Sequence, residues 1–346
     1  MRIRLFCIGV PLPFISLYRH LWWTAFVRRW NAKEVRFLCA RIKGNKMRNE
    51  AKPFLKWAGG KGQLLPQLIR HLPRNISEQT FTYVEPFVGG GAMLFYMLWN
   101  FPNIRRVVVN DVNPFLITIY RVVKDYPEQL IKELSSLEKQ YLALNGEVSK
   151  KAFFLQVRSV FNQHVLSDVE RAKYLIFLNR TCFNGLFRVN AKGAFNVPFG
   201  RQLHPTICNA DTIMADSKLL NQADIVMLDG DFEQIEGHID DGFNFIYFDP
   251  PYRPLDATSS FNAYAKGGFD DAEQVRLRDF CMRLNALPNV NWMLSNADCS
   301  ARNPEDVFFE TIYGGFNICR VVASRAINAN PAKRGKLTEL LIKNYD

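Results

Sequence analysis

The residues best placed to do chemistry follow an apolar stretch, Phe243 to Phe248, that reads as a buried strand. It stops abruptly at Asp249-Pro250-Pro251-Tyr252, because two prolines donate no backbone N–H and fix φ. Such a strand would deliver one carboxylate, a rigid carbonyl-rich turn and one aromatic ring to the carboxyl edge of a sheet. That edge is where open α/β folds bind ligands. An ordinary strand stop, with Tyr252 packed on the core, would use the same residues, so the remaining chain must decide.

Gly89-Gly90-Gly91 falls between an expected strand and an expected helix, where backbone can approach a ligand closely. It is not the dinucleotide fingerprint, which would need glycine where Leu94 stands. Gly59-Gly60-Lys61 is not a phosphate-binding loop either, since Leu55 and Gly62 occupy positions that motif reserves for Gly and Ser/Thr. A nicotinamide enzyme and an NTPase are both disfavoured. Asp111 follows Gly89 by 22 residues and ends a second expected strand. A helix N-cap is one use for such a residue. After a glycine-rich first turn, accepting ribose hydroxyls is the better one. The ligand would be an adenosine without a pyrophosphate, which points to S-adenosylmethionine.

The elements that must hold these residues alternate. Strands are expected at 82–84, 106–110, 225–228, 243–248, 292–294 and 338–345, with helices at 63–72, 92–99, 114–124 and 271–287. This alternation implies a parallel sheet with crossover helices. Residues 125–178 instead show helical spacing with many charges, and 179–202 are rich in Asn, Gly and aromatics, suggesting a hairpin and loops. The expected organisation is an arm over 1–46, a sheet domain over 47–124 and 210–346, and an insertion over 125–209.

Charge sharpens this division. The chain carries +11, but residues 1–46 hold ten Lys/Arg and one Glu, so the other 300 residues carry 11 − 9 = +2. Between Arg171 and Ala210 there are six Lys/Arg and no acid, a local basic footprint. The apolar patch of the arm is broken by Pro11 and Pro13 and is too short to span a bilayer. The arm is expected to lie outside the fold, with Met47 as the functional start. The seven cysteines form no C-x-x-C pair, which argues against structural zinc and a disulfide framework and suits a reducing cytoplasm.

Six motifs then fall in one order: PFLKWAGGK (53–61), VEPFVGGG (84–91), Asn110-Asp111, NG-x-x-R-x-N (184–190), FNVPFG (195–200) and DPPY (249–252). In order and approximate spacing they resemble the Dam-type DNA adenine-N6 methyltransferases, over residues 52–346. The resemblance implies an α/β, Rossmann-like S-adenosylmethionine-dependent methyltransferase sheet with an inserted, mainly helical DNA-recognition domain carrying a β-hairpin. It implies that Trp57 and Lys61 contact the cofactor, that Glu85, Phe87, Gly89 and Gly91 belong to its main loop, and that Asp111 binds its ribose. Asp231 and Phe232 would hold its adenine, and Asp249, also beside the cofactor, would act with Pro250 and Tyr252 in catalysis.

The implied chemistry is methyl transfer to an exocyclic adenine amine, whose lone pair is delocalised into the ring. Asp249 and the Pro250 carbonyl can accept its two hydrogens and free that lone pair. Tyr252 would stack on an adenine rotated out of the duplex. No metal is required. The insertion would read sequence through Phe183, Asn184, Leu186 and Arg188, with Lys56 on a flanking guanine. Arg suits guanine and Asn suits adenine, which favours GATC. Gln202 departs from the aromatic residue often found there in the family. Arg320, Arg325, Lys333, Arg334 and Lys336 would contact phosphates. The expected partner is double-stranded DNA, without membrane, in the cytoplasm and nucleoid, for a mostly monomeric enzyme that a cognate restriction endonuclease could accompany. An RNA or non-GATC target, a protein amide substrate, and a DNA-binding protein without catalysis are the alternatives.

Overall fold

The computed structural model describes residues 51–57, 59–163, 165–254, 269–323 and 337–346. The basic arm over 1–46, Arg325, Lys333, Arg334 and Lys336 lie outside them. All described residues belong to one compact unit, Glu50–Asp346.

Ahead of the first strand the helix expected over 63–72 is broken into a 3-10 turn, Lys61–Gln63, a single α-turn, α1 (Leu65–Leu68), and a second 3-10 turn, Ile69–His71. Pro66, near the start of α1, has no N–H to continue a helix from the preceding turn. Then follow β1 (Phe81–Glu85), α2 (Ala92–Asn100), β2 (Ile104–Asn110) and α3 (Pro114–Asp125). Asn113 caps α3 by accepting from Phe115 N, with Pro114 in the first turn.

The insertion supplies α4 (Pro127–Leu142), α5 (Gly146–Phe161) and α6 (Asp168–Thr181), the last opened by a Ser167/Glu170 capping box. Next come α7 (Ala210–Leu220), β3 (Asp224–Leu228), β4 (Phe243–Phe248), α8 (Asp271–Asn285), β5 (Val290–Ala297), α9 (Phe308–Ile312), β6 (Asn317–Ala323) and β7 (Leu337–Lys343). The sequence reading does not anticipate α7, α9 or β6.

The seven strands form one sheet in the order β3-β2-β1-β4-β5-β7-β6. Every pair from β3 to β5 is parallel, and β7 runs antiparallel to both its neighbours. This is the Rossmann-like α/β sheet expected from the sequence. From β1 the chain winds outward to β3, then returns to place β4 on the other side of β1. The switch point therefore lies between β1 and β4, and ligands bind beyond the carboxyl ends of strands at such a point.

Alternation along the strands fills two cores. Tyr83, Val107, Val109, Phe245, Tyr247, Met293 and Leu341 face a core that continues into the insertion through Leu134, Phe154 and Phe177. Val84, Val108, Ile246, Phe248, Trp292, Leu294, Leu340 and Ile342 face the other, closed by α8 through Leu277, Phe280 and Leu284. Truncating a buried aromatic such as Phe248 to Ala should cost about 3–5 kcal/mol. With both faces covered, the carboxyl edge is where the sheet remains open to a ligand.

Candidate active site

Register decides which side chains meet at that edge. Phe248 pairs with Leu294, so Asp249 emerges beside Ser295, on the face that also carries Tyr247. Ser295 Oγ donates to Asp249 Oδ1 at 3.0 Å and lies 3.0 Å from the Tyr247 hydroxyl. Lys61 Nζ, brought from the 3-10 turn, reaches the same Oδ1 at 2.7 Å. Among the described residues no donor addresses Oδ2. Burial pushes the Asp249 carboxyl above its ordinary range, and the Lys61 ammonium, its hydrogen bond and the Ser295 hydroxyl draw it back. Lys61 also lies 4.2 Å from the centre of the Tyr252 ring.

The turn itself is held from behind. Gln274 Nε2 on α8 donates to the Pro251 carbonyl at 3.0 Å. Asn296 Nδ2 donates to Gln274 Oε1, and Asn296 Oδ1 accepts from Arg253 N. Both amides are buried. Arg253 is clamped to Asp271 and Asp306 and covers Phe308. The Tyr252 hydroxyl donates to Glu339 Oε2 on β7 at 2.7 Å.

β1 ends at Glu85, next to β4. Its buried carboxyl accepts from the Tyr83 hydroxyl at 2.8 Å. Desolvation pushes it well above the usual carboxyl range, with the charges of Asp249 and Asp111 adding to the rise. The glycine turn follows. Gly91 takes φ +74, and a Cβ there would collide with the Tyr120 hydroxyl, so glycine is required on both counts. Asp111, at the end of β2, accepts from Gly89 N at 3.1 Å and from Asn113 N at 2.9 Å. Burial raises its pKa to about 6. Three carboxyls thus converge beside one glycine turn.

Two aromatic groups frame this turn. Trp57 packs over Gly90 and stacks on Phe187 with ring centres 5.8 Å apart. Beyond β3, Phe232 lies against Phe87 at 5.4 Å, and Phe269 closes on Phe87 at 5.7 Å. Asp231 caps the 3-10 turn Phe232–His238 and takes a two-point ion pair from Arg276, whose guanidinium covers Phe232. That pair, above all, holds the Asp231 carboxyl below its ordinary range.

Comparison with known proteins gives this geometry a family. The family model described as D12 class N6 adenine-specific DNA methyltransferase matches residues 57–327. The chain belongs to that family. The Type II methyltransferase M.MjaIII of Methanocaldococcus jannaschii is 46% identical over 300 residues, covering 86% of this chain and 100% of that protein. The Type II methyltransferase M1.LlaDCHI of Lactococcus lactis subsp. cremoris is 39% identical, over 85% of this chain and 95% of that one. The DNA adenine methylase of Vibrio cholerae is 33% identical, over 83% and 94%. The protein is an adenine-specific DNA methyltransferase, and the family implies S-adenosylmethionine as methyl donor. The residues present fit such a donor: carboxyls for a sulfonium and an ammonium, a glycine turn for close approach, and an aromatic slot for adenine.

The methyltransferase brings its expected recognition residues together on one loop. Phe183, Asn184 and Arg188 are exposed, and Leu186 is half-buried. Asn184 adopts φ 55, in the left-handed region that asparagine tolerates. The expected hairpin is reduced to two antiparallel bridges, Cys182 with Phe199 and Val189 with Phe195. Arg188 reaches across it to Asn196 Oδ1 at 2.7 Å. Lys56 lies directly behind: a Cβ on Gly185, at φ +65, would come within 2.7 Å of Lys56 Cβ.

Sequence reasoning missed the residue that makes this junction. The buried Asn179 amide accepts from Lys56 N at 3.0 Å and donates to Lys56 O and Gly185 O at 2.7 and 2.8 Å. It lies within the basic, Asn-rich stretch, but nothing in composition separates a buried asparagine from an exposed one. Ser295, Gln274, Asn296 and Glu339 were missed for the same reason. One expectation is corrected. Arg320 is not a free phosphate contact, because its guanidinium pairs with buried Asp298 at 3.1 Å and with Glu310. Asp298 follows β5 and Glu310 lies on α9, so the pairing depends on tertiary packing that no local sequence pattern could show.

Proposed function

We propose that this methyltransferase modifies the N6 amine of adenine within GATC in duplex DNA, acting on a base rotated out of the helix. The observation that carries the reading is the Asp249 carboxylate at the switch point, with Oδ1 occupied by Lys61 and Ser295. Oδ2 is left to accept an N–H of the target amine, and the Pro250 carbonyl to accept the other. Stacking on Tyr252 would fix the base plane. S-adenosylmethionine supplies an electrophilic methyl group, so alignment provides much of the acceleration. In this reading Asp111 holds the ribose, and Glu85, Phe87, Gly89, Gly91, Trp57 and Lys61 line the cofactor. Asp231 and Phe232 flank its adenine.

The GATC assignment rests on residue types. Arg188 can present two donors to guanine O6/N7, and Asn184 can pair with adenine N6/N7. Phe183 and Leu186 offer apolar contact, and Lys56 stands behind them for a flanking guanine. Relatives named DNA adenine methylase support adenine as the target base. Expression in a methylation-deficient host, followed by digestion of the plasmid with nucleases sensitive to GATC methylation, tests both parts. Protection at GATC is expected. Methylation at another sequence removes the GATC assignment, and an active Asp249→Ala variant removes the catalytic one.

A further inference from the structure

We propose that Glu339, on β7, is a positioning residue that holds Tyr252 by its hydroxyl and so sets the plane in which the target base is received. This rests on the reading of the Asp249 to Tyr252 turn given above. Glu339 lies outside the 57–327 span matched by the family model.

A tyrosine that only stacked would need no hydroxyl partner. Here the hydroxyl donates to a carboxylate oxygen at 2.7 Å, within the range of charge-assisted bonds. The ring stands at the end of a two-proline turn whose Pro251 carbonyl is tied to Gln274. One end of the residue is therefore fixed by backbone, and the Glu339 bond fixes the other. Together they restrict both side-chain torsions. Lys61 lies against the ring between these ends.

The anchor is rigid for topological reasons. β7 runs antiparallel, so its first residues lie at the carboxyl edge of the parallel strands. Glu339 pairs with Ala297 on β5 and with Val321 on β6. The next residues, Leu340, Leu341 and Ile342, are fully buried. Ser295 and Ala297 alternate onto one face, so Glu339 shares the face of Asp249. That placement has a cost: the Glu339 charge opposes ionisation of Asp249. A neutral amide could hold a hydroxyl for structure alone without it. A carboxylate gives the stronger, more directional bond, and Lys61 offsets the repulsion.

A positioning role predicts loss in methyl transfer and not in binding. Glu339→Ala and Tyr252→Phe both remove this bond, and Tyr252→Phe also removes the contact of the hydroxyl with Ser295. Each should slow single-turnover methyl transfer about tenfold, with cofactor and DNA affinities within about twofold. The double variant should be no slower than the worse single, and Glu339→Gln, which still accepts, should stay within about threefold of the parent. A Glu339→Ala variant at parental rate overturns the proposal, as does a double variant slowed by the product of the singles. Should Glu339→Ala fail to fold, Glu339→Leu replaces it: slowing there supports the tether, and a parental rate there or in Tyr252→Phe overturns it. Tyr252→Ala separates the two readings. Parental activity there overturns the assignment of the turn, whereas loss there with a normal Glu339→Ala overturns the tether alone.

Discussion

The proposed catalytic edge and the proposed recognition loop of this enzyme are built in opposite ways. At the edge, Glu85, Asp111, Asp249, Ser295 and Glu339 lie within a residue or two of a strand end, and strand register sets their neighbours. Carboxyls are crowded there, and burial raises both Asp249 and Asp111. In the loop, two bridges and a set of turns carry exposed Phe183, Asn184 and Arg188. One buried amide, Asn179, supplies three of the hydrogen bonds that attach it to Lys56 and close it on itself. Transfer chemistry needs groups fixed and partly desolvated before the substrate arrives. Base reading needs donors that are exposed and free to settle into a groove, with only their root held firmly.

The contrast can be broken in stages. Asp249→Ala should lower methyl transfer by about 10³-fold while DNA affinity changes little, as labelled-methyl and binding assays would report. An equal loss in DNA affinity would mean that the two regions are not separable. Asn179→Ala should do the reverse, leaving transfer on an excess of the best site largely intact. It should cut discrimination against sites with one changed base by about tenfold. It should also destabilise the fold by about 1–3 kcal/mol, because Lys56 and Gly185 backbone groups lose their partner. Thermal melting and kcat/KM on matched duplexes would check both.

Smaller effects test the electrostatics of the edge. The Asp111 pKa, raised to about 6, means that the carboxylate proposed to accept ribose hydroxyls is ionised above that pH and protonated below it. Cofactor affinity should therefore fall by up to about tenfold per pH unit below 6, and Asp111→Asn should flatten the dependence. Calorimetric titration between pH 5 and 8 would show it. Lys61→Met should move the acid limb of the single-turnover pH profile upward. The ammonium stabilises the Asp249 carboxylate, so its loss leaves burial less opposed. A limb that stays in place would separate Lys61 from the charge of Asp249.

The two regions also differ in how much of them can be read without a structure. The strand ends were legible because apolar runs, prolines and glycines signal locally: Phe243 to Phe248 with its Pro-Pro stop matches β4, and Asp111 follows β2. The hairpin was legible only as a composition, since Asn184 and Gly185 mark turns without stating what the turns close on. Arg320 misled because a charge is visible in sequence and its pairing with the buried Asp298 is not.

Sequence alone determined the α/β class, the order of the motifs and the identity of the candidate acid, base-stacking ring and glycine turn. These are properties of contiguous residues, where propensity and backbone restriction act over a few positions. Tertiary structure alone decided that β4 lies beside β1, that Ser295 and Lys61 share one oxygen of Asp249, that Asn179 bonds Lys56 and that Glu339 meets Tyr252. Those facts depend on strand order and register between segments separated by tens to hundreds of residues. A single chain records such pairings only in the energy of the packed whole.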